Sequence, residues 1–171
     1  MAHASLAKLV WTGYQPGVIG QVTALHAVYY ARHWGFDLSF ESQVARELSD
    51  FLRAFDPARD FFLAAWDGPE LAGAVALDGH STPEEGARLR WFIVAEPWQG
   101  RGLGRELMRR LLDFARLAGH RRLYLWTFAG LDAARRLYDA CGFVLAQEHP
   151  VEQWGGRIVE QRLGLDLTPQ G

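Results

Sequence analysis

The sequence predicts an α/β (α+β) fold: a mixed, mostly antiparallel central sheet of about seven strands, with helices on both faces. Three observations lead there. Two helical patterns precede Phe61. Apolar runs of strand length then crowd between Phe61 and Val94. Beyond Pro97, helical and strand periods alternate, which calls for helices laid on a sheet. The 171 residues, 49% of them hydrophobic, fit one domain over 1–171, with an ordered core expected from about residue 6 to 165.

Leu6 to Thr12 reads as a short first strand. From Gly17 to His33 a helix is expected, because Val18, Val22, Leu25 and Val28 or Tyr29 recur on a roughly 3.6-residue period. A second helix carries Val44, Leu48, Phe51 and Leu52 on its stripe, with Ser39 as its cap. Phe61–Trp66 and Leu71–Leu77 flank Asp67-Gly68-Pro69-Glu70 and predict a hairpin whose turn is longer than two residues. Leu89–Val94 follows as a strand. Leu103, Leu107, Leu111, Ala115 and Ala118 share one helix face, and Gly119 closes that helix. Leu123–Phe128 is a buried strand. Ala134, Leu137, Tyr138 and Cys141 stripe a short helix closed by Gly142. Phe143–Gln147 and Ile158–Leu165 are the last strands.

Composition removes several function classes. No stretch approaches the ~18 uninterrupted apolar residues of a membrane span, and the N-terminus lacks a secretory pattern. A formal charge of −2 gives no overall pull toward nucleic acid or acidic lipid. The single cysteine, Cys141, allows no internal disulfide and no cysteine-based zinc site, so no metal is expected and a reducing cytoplasm is the default. In its helix stripe Cys141 reads as a small hydrophobe.

The most informative segment runs from Leu89 to Leu112, where a strand leads into Gln99-Gly100-Arg101-Gly102-Leu103-Gly104 and then into an amphipathic helix. Glycines there let a ligand approach the backbone. Their amides and the helix N-terminus suit a phosphate or pyrophosphate, with Arg101 and Arg105 adding charge at the mouth. A P-loop needs Gly-Lys-Ser/Thr, and no lysine is near. A dinucleotide fingerprint needs G-x-G-x-x-G after the first strand, whereas Gly100, Gly102 and Gly104 alternate in mid-chain.

Gln99, Gly102 and Gly104 instead match Gln/Arg-x-x-Gly-x-Gly/Ala, the signature of the GNAT superfamily of acyl-CoA-dependent N-acyltransferases, which this segment resembles. Ala134, Leu137, Tyr138, Gly142 and Phe143 resemble that family's second hallmark, A-x-x-L-Y-x-x-x-G-F, and Gly73 sits where the family often has glycine. The element order agrees from residue 6 to 165. YYARHWGFDLSFE, LWTF and WGGRIVEQRL are similar to GNAT domains fused to winged-helix regulators, of which this chain would be a stand-alone version.

The resemblance implies acetyl transfer from acetyl-CoA to a primary amine, by direct attack in a ternary complex. Gln99, Gly100, Arg101, Gly102, Leu103, Gly104 and Arg105 would hold the pyrophosphate. The strand edge at Phe92, Ile93 and Val94 would pair with the pantetheine arm and polarise the thioester. Tyr138 would be the general acid toward the thiolate. Many family members carry Asn seven residues before that Tyr, where this chain has Leu131; either Asp132 or Thr127 replaces it, or backbone alone makes the contact.

For the base, Glu41, Glu96 and His26 are candidates, with Glu41 preferred for its place at the start of the second helix. Tyr29, Tyr30, Trp34, Phe36 and Phe40 form a dense aromatic cluster. With Trp154 in the last loop, Tyr29 and Tyr30 would bind the acceptor. That partner is a small-molecule or peptide amine, better an apolar amine than a polyanion. A homodimer is left open. A second class also stays open: a non-catalytic acyl-CoA-binding sensor or regulatory module that keeps the loop but lacks an effective base.

Overall fold

The computed structural model describes residues 5–80, 82 and 84–169. Its elements are β1 (Val10–Thr12), α1 (Val18–Trp34), α2 (Leu38–Arg53), β2 (Phe61–Asp67), β3 (Glu70–Asp78), β4 (Ala87–Val94), α3 (Leu103–Leu117), β5 (Arg122–Phe128), α4 (Asp132–Ala140), β6 (Val144–Gln153) and β7 (Gly156–Asp166). The strands form a 7-stranded sheet in the order β1-β2-β3-β4-β5-β7-β6. Every neighbouring pair is antiparallel except β4 and β5. Leu103, Leu107, Leu111 and Tyr138 pack one face of the sheet from α3 and α4. Val18, Val22, Phe40, Val44 and Leu48 pack the other from α1 and α2. The expected mixed sheet with helices on both faces is the observed one.

Three element ends differ from expectation. Leu6–Lys8 is a 3-10 turn, and only Val10–Thr12 pairs as strand. Asp37, not Ser39, caps α2: its Oδ1 accepts the Ser39 amide at 2.9 Å. Strand β6 runs on to Gln153, pairing Pro150 with Val159. It is an exposed edge strand, so burial never imposed an apolar alternation there, and an edge tolerates proline.

The end of α4 explains why Tyr, Gly and Phe stand at their spacing. The Phe143 amide bonds the Tyr138 carbonyl at 3.0 Å, and the Gly142 amide bonds the Asp139 carbonyl at 3.0 Å. These are the two bonds of a Schellman end, which needs a left-handed residue at the turn. Gly142 supplies it with φ 96°. Phe143 then packs on Tyr138, with ring centroids 6.0 Å apart.

Two irregularities of β4 build the site. Trp91 has φ 47°, unusual for a bulky residue, where the β3–β4 register shifts between Ala74 and Ala76. Ala87 and Leu89 face the α3 layer. At the bulge the alternation changes phase: Trp91 joins the α1/α2 layer, while Phe92 and Val94 return to the α3 side. Farther along, β4 and β5 pair only at Ala87↔Leu123 and Arg88↔Tyr124. Beyond those residues the two strands part, and their facing edges are open.

Candidate active site

An outer cleft of about 680 Å³ opens where the strands have parted. Phe92, Ile93, Val94, Gln99, Gly100, Gly102, Gly104 and Arg105 form one side, and Gly130 to Ala134 with Leu137 the other. Among the described residues, no backbone or side-chain acceptor takes the amides from Gly100 to Arg105. The first amide bonded back into the helix is that of Glu106, to the Gly102 carbonyl at 3.1 Å. This row of free N–H groups at a helix N-terminus is an anion cradle. Gly102 carries φ 86° in open space. At Gly104 a Cβ would stand 3.2 Å from Phe92 Cζ and 3.4 Å from Leu137 Cδ2, so glycine keeps the floor of the cleft low. Gln99 holds the approach by donating to the Val94 carbonyl at 3.1 Å.

An inner cavity of about 190 Å³ lies on the α1/α2 side. His26 and Tyr30 come from α1, Gln43 and Glu47 from α2, Arg88 and Arg90 from β4, Thr127 from β5, Glu160 from β7 and Trp154 from the β6–β7 turn. Tyr30, Phe92, Leu131 and Ala134 line both spaces, so the two meet where the sheet is parted. Tyr138 reaches the inner cavity from the α4 side, 6.0 Å from Phe92 between ring centroids.

Burial pushes the phenols of Tyr30 and Tyr138 well above their usual range. The Tyr138 hydroxyl makes no hydrogen bond among the described residues. His26 is buried and its Nδ1 lies 2.8 Å from the Val22 carbonyl, so Nδ1 carries the proton and Nε2 is left as acceptor. Burial lowers its pKa to about 4. Glu47 takes the guanidinium of Arg90. Burial and the neighbouring Arg88 lower the Arg90 pKa, against the pull of Glu47. Glu160 Oε2 lies 3.2 Å from His149 Nε2. The Trp154 indole donates to Gln43 Oε1 at 2.9 Å and packs on Phe36 and Phe40.

Most residues expected from the loop therefore border the outer cleft. Leu103 does not line it: its side chain is fully buried in the core, and only its free amide joins the row. Arg101 is exposed, with its guanidinium 5.5 Å from the Trp98 ring, and does not line the cleft. Trp154 borders the inner cavity, Tyr30 both spaces, and Tyr29 the outer cleft. Asp132 lines the outer cleft and Thr127 the inner cavity, flanking Leu131.

Glu41 is a correction. It lies on the exposed side of α2 and lines neither space. Glu41 and Glu47 flank the buried stripe of Phe40, Val44, Leu48 and Phe51 on opposite sides, Glu47 on the flank that meets Arg90 of β4 and Glu41 on the exposed one. Glu96 is another: it is held outside by Arg32 and His33, each at 3.4 Å. The acceptor side expected from the aromatic cluster is also charged, because two arginines and two glutamates line the inner cavity. Arg88 and Arg90 had a signal in the alternation Ala-Arg-Leu-Arg-Trp, which puts both on one face of a strand. Glu160 had none.

Among the described residues no helix is long and apolar enough to cross a membrane. Asp60, Asp78 and His80 gather ligand-type atoms within 4.8 Å. That group stands apart from both spaces, and Asp60 already accepts the amides of Asp56 and Gly79 at 2.9 and 2.8 Å.

A mixed sheet parted at its one parallel pair, with an anion cradle at the mouth, is the architecture of acyl-CoA-dependent transferases. The chain belongs to the acetyltransferase (GNAT) family, whose model matches residues 21–143. It is 36% identical over 89 residues to a mycothiol acetyltransferase of Corynebacterium efficiens, covering 52% of this chain and 29% of that one. It is 33% identical over 87 residues to an N-acetylaspartate synthetase of Rattus norvegicus, covering 51% and 28%. The chain thus matches about 30% of the length of these curated relatives. A Salmonella typhimurium structure solved with its cofactor acetyl-CoA shares the fold at TM-score 0.70 and 17% identity, covering 95% of this chain and 96% of that one.

Proposed function

We propose that the protein is an N-acetyltransferase that moves an acetyl group from acetyl-CoA to a primary amine by direct attack in a ternary complex. The observation that carries this reading is the meeting of two spaces at the parted strands, one floored by free amides and the other lined by ionisable side chains.

The amides from Gly100 to Arg105 hold the pyrophosphate, with Arg105 adding charge at the rim. The open edge of β4 at Phe92, Ile93 and Val94 pairs with the pantetheine amides, and an N–H of that edge polarises the thioester carbonyl. The amine enters from the inner cavity. An alkylammonium must lose a proton before it attacks. Glu160 takes that proton, directly or through water, because Glu47 is tied to Arg90 and the His26 imidazole, with a pKa near 4, is a weak base. Attack forms the C–N bond, the tetrahedral intermediate collapses, and the C–S bond breaks. Tyr138 donates its phenolic proton to the departing thiolate. Burial favours the neutral phenol it needs for this.

The apolar Leu131 borders both spaces and leaves the pantetheine contact to backbone and to Asp132. Acetyl-CoA turnover against a broad panel of primary amines, followed as free thiol, tests the reading. Amine-dependent thiol release with a stoichiometric N-acetyl product is expected. Acetyl-CoA binding without turnover of any amine would favour a sensor instead.

A further inference from the structure

The geometry points to an acceptor amine that also carries a carboxylate, with Arg88 as the residue that binds that carboxylate in the inner cavity. This rests on the acetyl-transfer reading above and names its substrate class: a small free amino acid with an apolar or aromatic side chain.

The argument begins with the partners of each charge in the cavity. Arg90 is committed three times over: to Glu47, to Asp78 at 4.0 Å, and to the face of Trp91 with its guanidinium carbon 4.2 Å from the ring centroid. Glu160 is in contact with His149. Arg88 has no such commitment. Among the described residues it makes no salt bridge and no hydrogen bond, and its Nε is shut off from solvent without an acceptor. Buried guanidinium N–H groups otherwise find partners, because leaving one unpaired forfeits its hydration with no return. A ligand that brings its own acceptor into the cavity removes that cost. The planar fork of an arginine suits a carboxylate.

Carboxylate is favoured over phosphate by the surroundings. Glu47 and Glu160 line the same 190 Å³, and a dianion would face both with one uncommitted guanidinium to meet it. A monoanion paired with its own ammonium is neutral overall. Its two ends match the two ends of the cavity: Arg88 stands at the paired base of β4 and β5, while Phe92, with Tyr138 packed beside it, stands where the spaces join. Between them Phe40, Trp126, Phe128 and Trp154 give an apolar wall for the side chain. Phe92 lies four residue steps beyond Arg88, at most roughly 13 Å of extended chain, part of which the arginine side chain itself spans. That leaves room for a short acceptor. In a peptide the terminal carboxylate would lie too far from its reacting amine.

The test compares matched acceptors with acetyl-CoA as donor: phenylalanine, phenylalaninamide and phenethylamine, and leucine, leucinamide and isoamylamine. Thiol release gives kcat/KM, and calorimetry gives acetyl-CoA affinity. The wild type is expected to prefer the free amino acid of each set by roughly 10- to 100-fold, the range of a hydrogen bond to a charged partner. In Arg88→Met that ratio should fall to near one, chiefly through KM, with acetyl-CoA affinity kept; Arg88→Lys should retain part of it. The wild-type comparison does not depend on how well either variant folds. Turnover of amide and amine as good as that of the amino acid overturns the inference and leaves the transferase reading intact. Acetyl-CoA binding with none of the six turned over also overturns it, as does an unchanged ratio in a folded Arg88→Met. A wild type that does not bind acetyl-CoA overturns both.

Discussion

Replacing Tyr138 by Phe separates a proton donor from a core aromatic. The ring is buried, 6% exposed, and packs on Phe92 and Phe143. Phe keeps those contacts. The hydroxyl has no hydrogen-bond partner among the described residues, so the usual net loss of about 0.5–1.5 kcal/mol for a deleted bond does not arise. Stability should move by less than about 0.5 kcal/mol, or roughly 2 °C in Tm for a chain of this size. The rate should change far more: kcat is expected to fall by roughly 10- to 10³-fold, the span of general acid catalysis, with acetyl-CoA affinity unchanged.

The pH dependence follows from the raised phenol. The folded protein favours its protonated form, so any contribution to stability is present below the ordinary tyrosine pKa of about 10 and is lost only above it. The donor is therefore intact through pH 9, and Tyr138 should impose no falling limb on kcat below that value. Steady-state kinetics across pH 6–9, a thermal melt and calorimetry with acetyl-CoA check all three parts. An undiminished kcat in the variant, with chemistry shown to be rate-limiting by single turnover, would refute the reasoning.

Gly104→Val should abolish detectable acetyl-CoA binding by calorimetry while leaving the melt within a few degrees, because its side chain fills the floor between Phe92 and Leu137. Gly102→Ala meets no atom but must adopt φ 86°, so it should cost about 1–2 kcal/mol in a denaturant titration. Glu160→Gln should lower kcat/KM for the amine by about 10²-fold or more with acetyl-CoA affinity intact; an equal rate would remove Glu160 from the proton path. Buried His26, with a pKa lowered from 6.5 to about 4, stays neutral in the fold and charges in the unfolded chain. Stability should therefore fall as pH drops from 6.5 toward 4, by about 3 kcal/mol in order of magnitude, and denaturant titrations of His26→Gln should show a shallower fall.

Much of the fold follows from the sequence alone, because its signals are local. The stripe Leu103, Leu107, Leu111, Ala115 faces one way on any helix. Gly142 after a helical run, followed by Phe143, encodes a helix end whose bonds close within a few residues. The loop from Gln99 to Gly104 is likewise a short-range device: its amides are free because a helix begins there, and the spacing of the glycines says so.

The acceptor side is different. Its groups come from α1, α2, β4, β5, β7 and the last turn, from His26 to Glu160 in the chain, and only packing brings them together. Glu41 is the carboxylate its place at the start of α2 suggests; that Glu47 lines the cavity instead depends on how α2 seats Phe40, Val44 and Leu48 against the sheet. Arg88 and Arg90 read as an exposed polar face until α2 covers them. What the alternation does not foretell is the bulge at Trp91, a backbone event with no local signature, which keeps Trp91 in the α1/α2 layer and turns Phe92 to the α3 side. Local signals were enough for the element order and the anion loop. Tertiary structure decided the charge of the inner cavity, because a side chain's face at a site becomes definite only when the element carrying it is packed.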